Sequence, residues 1–135
     1  MVIDTLTDAR QAVESAPDPD GVAVHQALLV AYQVGMSAAD LSDNHAEQWT
    51  FASLAVRECL DTVADDASDT LTVPAGTTDT SGIEAAELER HVRLLLAQVS
   101  TVLADATGRE AGNPWRRLAW AKALGHLDDA LRELP

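Results

Sequence analysis

The chain has 135 residues, 47% of them hydrophobic, a formal net charge of −13 and a single cysteine. That length corresponds to one domain, residues 1–135, with enough apolar side chains for a packed core, so wholesale disorder is excluded. One cysteine cannot form an intrachain disulfide, and the acidic balance disfavours direct binding to nucleic acid, whose phosphates require a basic footprint.

The opening MVIDTLTDAR lacks the basic region and apolar stretch of a signal peptide, and a cytoplasmic location is expected. A first helix over about 2–15 places Ile3, Leu6 and Val13 on one side, before APDPDG breaks it. A second helix, about 21–41, is offered a cap by Asp20. Its residues 21–39, GVAVHQALLVAYQVGMSAA, contain no Asp, Glu, Lys or Arg. At about 100° per residue this segment is apolar nearly all round, apart from a narrow edge of Gln26, Gln33 and Ser37. Such a helix is surrounded by others. His25 and the glutamines argue against its crossing a membrane.

A third helix, about 44–66 and capped by Asp43 or Asn44, carries Trp49, Ala52, Val56, Leu60 and Val63 as its stripe. The LSDN link is short, so the second and third helices are expected to be antiparallel neighbours. A polar, threonine-rich connection broken by Pro74, Gly76 and Gly82 follows, at about 67–82. The fourth helix, about 83–107, has the clearest periodicity, with Leu88, Val92, Leu95, Val99, Val102 and Leu103. Asn113–Pro114 supplies a cap and a first-turn proline for a fifth helix to about 134. The expected fold is all-α: a four-helix bundle with a short additional N-terminal helix and one long connection.

Charge is unevenly placed along this order. Residues 1–80 sum to −12 and residues 81–135 to −1. Such an acidic half is either a solvated face or a surface for a basic partner.

Polar groups fall on the expected core faces. His25, Leu28, Leu29, Tyr32 and Met36 share one face of the second helix, and His45, Trp49 and Cys59 share the inward face of the third. His91 lies at the edge of the fourth helix's stripe. Imidazole titrates near neutrality and phenol donates to a developing oxyanion, so His25, Tyr32, His45 and His91 are candidate acid–base residues. Leu29, Met36, Trp49 and Cys59 would line the pocket that holds a mostly apolar small molecule. The expected function is therefore a small cofactor-independent acid–base enzyme, of isomerase, cyclase or lyase type, or a small-molecule-binding protein. The antiparallel arrangement places His25 and His45 at opposite ends of the bundle unless the helices are offset.

No Glu-x-x-His, His-x3-His or Cys-x2-Cys spacing occurs, so neither a metal nor a cofactor is expected. The alternative function is a non-catalytic acidic interaction or regulatory module. Leu94, Trp115 and Leu118 fall off their helices' main stripes, and a homodimer through them is a further expectation.

Overall fold

A computed structural model describes residues 1–64, 71–74, 76–109 and 113–135. Five helices make up the fold: α1 (Val2–Ser15), α2 (Val22–Leu41), α3 (Ala46–Ala64), α4 (Ala85–Gly108) and α5 (Pro114–Glu133), and no strand occurs among the described residues. Residues 67–70 and 75 of the expected connection lie outside the described residues.

Helices α2, α3, α5 and α4 pack in that cyclic order, with α1 laid against α2 and α4, a packing compatible with a bundle. Neighbours within the cycle of α2, α3, α5 and α4 run antiparallel. Arg57 of α3 stands over the Tyr32 ring of α2, 5.6 Å from its centroid, and Gly35 meets Ser53 closer to the other end. Across α3 and α5, Arg116 reaches the Val63 carbonyl and His126 pairs with Glu58. Arg93, near the start of α4, reaches the carbonyls of Leu131 and Leu134 at the end of α5. The hairpins α2–α3 and α4–α5 therefore form facing walls, and α3 and α4 both begin at the end where α2 finishes.

That geometry obliges the connection between α3 and α4 to return along the length of the bundle. Its described residues, 71–74 and 76–84, run beside α2. Gln26 donates to the Thr72 carbonyl at 3.0 Å, and about three turns further on, Ser37 hydrogen-bonds Thr80 through its hydroxyl (3.0 Å) and accepts from its backbone N–H (3.2 Å). The polar edge of α2 is thus the docking line for the strap, whose Leu71, Val73 and Ile83 pack against the core. Eleven residues of α2 are buried, which explains the absence of charge from its residues 22–39; Asp40, in its last turn, is exposed. Val22–Leu41 has the length and hydropathy of a membrane span, yet 61% of that window is buried inside the fold. The core itself is aliphatic. Leu6, Leu28, Leu60, Leu95, Leu103 and Leu127 are fully enclosed, each stabilising the fold by about 1.5–3 kcal/mol.

Caps differ from expectation at two helices. Asp20 does not cap α2, whose N-cap is Gly21. Its carboxylate instead accepts from the Arg116 guanidinium and from the Trp120 indole N–H (3.2 Å). A charged donor and an aromatic donor from α5 outcompete the local amides, and the loop before α2 is thereby pinned to α5. At α3, the His45 N–H is held by Ser42 Oγ at 3.0 Å rather than by an oxygen of Asp43 or Asn44. Asn113 caps α5 as expected, accepting from Trp115 N–H at 2.9 Å with Pro114 at the first helical position.

The α2 and α3 backbones come close at Gly35, where an added Cβ would collide with Ser53 Oγ and stand 3.3 Å from Ser53 Cβ. A Gly35→Val substitution is therefore expected to lower stability by about 2–3 kcal/mol through overpacking, read from urea melts, while Ser53→Ala alone stays near the wild type.

Candidate functional site

One sizeable cleft with a largely apolar lining opens at the end of the bundle where α2 stops and α3 and α4 start. Its volume is about 380 Å³, within the range of small-molecule sites. Ala38 and Leu41 close it from α2, and Trp49 from α3. Thr80 and Ile83 of the strap, then Ala85, Ala86, Leu88 and Glu89 of α4, form the opposite side, with Pro135 beneath. Ser42 and His45 stand at its polar edge.

The sequence places these groups by simple rules. His45 and Trp49 are four residues apart, so they share a face of α3. The His45 backbone carbonyl accepts from Trp49 N–H at 3.0 Å, while its exposed imidazole makes no hydrogen bond among the described residues. Glu89 pairs with Arg93 at 3.2 Å, an i,i+4 bridge. The same guanidinium donates to the carbonyls of Leu131 (3.1 Å), Leu134 (3.3 Å) and Pro135 (3.4 Å), so a single cation gathers the unpaired end of α5 and fixes the floor of the cleft. On the core side of Trp49, beside Gly35, Ser53 and Val92, only about 10 Å³ is free, little more than a water's worth. The tryptophan separates an open cleft from a filled core.

Of the eight candidate residues, the structure brings only His45 and Trp49 to this cleft. His25 is near the start of α2, roughly 25 Å of helix away from His45. It is 6% exposed and its Nε2 has no partner. Desolvation lowers its pKa most; the Pro19 backbone and Asp20 raise it, Arg116 lowers it and Asp18 raises it, for a net lowering. Tyr32 is half-buried at the α2–α3 seam beneath Arg57, which is itself paired with Asp61 at 3.2 Å. His91 is half-buried on α4, with Nδ1 sealed off unpaired and Nε2 3.3 Å from the Arg90 guanidinium. Leu29 is buried and Met36 half-buried on α2, neither lining the end cleft. Cys59 is fully enclosed, and burial pushes its thiol up to about 12. Among the described residues no group of three or more His, Cys, Asp or Glu side chains is placed to hold a metal ion.

Sequence reasoning missed Leu41, Thr80, Ile83 and Arg93. Leu41 lies past the charge-free run, and the two strap residues belong to no periodic stripe. The Glu89–Arg93 spacing was visible, but the carbonyls that Arg93 gathers come from the far end of the chain. Comparison of the chain with protein families, curated proteins and solved structures gives no match.

Two outcomes follow from the buried titratable groups. The unfolded chain protonates His25 near 6.5, whereas the folded chain resists protonation, so stability is full above about 6.5 and is lost as pH falls through the lower folded value. Urea melts at pH 7.5 and 5.5 should show the wild type losing stability relative to His25→Leu on acidification; parallel losses would refute this. Ellman's reagent at pH 8 should leave native Cys59 unmodified for as long as the chain stays folded and titrate one thiol in 6 M guanidinium.

Proposed function

We propose that this protein binds a small, mostly apolar molecule in the cleft at the end of the bundle. The observation that carries this reading is the cleft itself: about 380 Å³, walled by aliphatic side chains and Trp49, with Ser42, His45, Thr80 and Glu89 as its other polar side chains. A few polar groups in an apolar hollow fix orientation while the walls supply affinity. Thr80 is engaged with Ser37 and Glu89 with Arg93, which leaves the His45 imidazole free to hydrogen-bond an occupant. The separation of His25, Tyr32, His45 and His91 favours a binding protein over an acid–base enzyme, because concerted proton transfer needs its groups within hydrogen-bond reach of one substrate.

A second reading, an interaction module that self-associates through α5, is favoured by Trp115 and Leu118, which are 77% and 56% exposed one turn apart. Leu94 belongs elsewhere: its neighbour Arg93 touches the end of α5, whereas Trp115 begins it. Trp with flanking Arg116 and Arg117 has the composition of a binding hot spot.

The neutral fluorescent probe N-phenyl-1-naphthylamine separates the two. One molecule is expected to bind per chain, at least about tenfold more weakly in Ala86→Trp, which fills the cleft from the exposed first turn of α4, and unchanged in Trp115→Ala. Binding that is insensitive to Ala86→Trp, or no binding, overturns the cleft reading. A dimer in light scattering that Trp115→Ala converts to monomer would support the second.

A further inference from the structure

Trp49 lines the end cleft although only 3% of its surface is exposed. Its Cε3 edge lies towards α2, 3.8 Å from where a Cβ on Gly35 would stand, so the six-membered ring plugs the core. The indole N–H is on the opposite, pyrrole side of the ring system. It donates to no acceptor among the described residues, whereas the Trp120 N–H is paired with Asp20. Nor is it sealed from solvent, unlike the unpaired His25 Nε2 and His91 Nδ1. An enclosed indole normally has an acceptor for its N–H. No protein group among the described residues accepts from it, and Trp49 borders the cleft, so an occupant of the cleft is the candidate acceptor.

The surroundings decide which acceptor fits. A simple cation brings none. An anion meets carboxylates from two helices: Glu89 in the lining, Glu84 and Glu87 at the start of α4, and Glu47 in the first turn of α3, on a chain of net charge −13. Arg93 offsets Glu89, but its guanidinium is also spread over three carbonyls of the α5 end. The uncapped amides of α4 near Ala85 and Ala86 favour negative charge, yet they are flanked by the same glutamates. An uncharged oxygen satisfies the indole without meeting that repulsion.

We propose that the cleft selects an uncharged carbonyl compound, a ketone, ester or amide with an apolar body, whose oxygen accepts the Trp49 Nε1–H. This rests on the reading that the cleft is a ligand site. The aliphatic walls hold the body, and the tryptophan, rather than a charged residue, sets the orientation. An oxygen lost from the ligand leaves the donor dry and unpaired, which is how a neutral hydrogen bond becomes selective.

Isothermal titration of the full chain with three ligands of matched shape tests this: 1-acetonaphthone (carbonyl), 1-ethylnaphthalene (no acceptor) and 1-naphthoate (anion). The ketone is expected to bind about tenfold tighter than the hydrocarbon, and the naphthoate more weakly than the ketone. Trp49→Phe should abolish the preference for the ketone, the ketone losing about tenfold more affinity than the hydrocarbon. Equal binding of ketone and hydrocarbon, both lost in Ala86→Trp, would overturn the carbonyl assignment and leave the cleft reading standing. Naphthoate binding tightest would overturn the neutral class. Failure of all three to bind would overturn the cleft reading and this inference together.

Discussion

A helix without a formal charge between residues 21 and 39 has to be covered on every side, and the rest of the architecture answers that demand. Helices α1, α3 and α4 supply three of the coverings. The fourth is irregular chain, held by Gln26 to Thr72 and by Ser37 to Thr80. Exposing α2 would return eleven buried residues to water, a penalty larger than the few kcal/mol by which a domain of this size is stable. The strap is therefore part of the core's enclosure, and its route determines the direction of α4.

From that direction the cleft follows. With α3 and α4 starting at the end where α2 and α5 finish, four helix termini meet and the cleft lies between them. Trp49 closes the core beneath this gap, and Arg93 ties down the α5 terminus beside it. The hollow is a by-product of packing order as much as of any residue that lines it.

Periodicity revealed the five helices, the central position of α2 and the cap at Asn113, because each is a property of one local segment. The separation of His25 from His45 was also legible, since a short link between the second and third helices forces them to run antiparallel. What periodicity does not carry is register between helices. It placed Tyr32 on an inward face, but whether a cavity or Arg57 lies over that ring depends on α3. It offered Asp20 as a cap, but Arg116 and Trp120, about a hundred residues away, are stronger donors. It grouped Leu94 with Trp115 by their shared exposure, although one follows Arg93, which reaches the end of α5, and the other lies at the start of α5. Thr80 and Ile83 were illegible because a residue in a strap acquires its neighbours only once the bundle exists.

The facing walls of the fold have an electrical counterpart. The α2–α3 wall, with α1 and the strap, belongs to the stretch that holds −12 of the total, while the α4–α5 wall is close to neutral. The charge of the described residues is unevenly shared between the two walls, and the acidic one is the side that a cationic surface attracts. Two copies drifting together repel least when they meet back to back through the neutral wall, so long-range forces bias their encounters before any side chains touch.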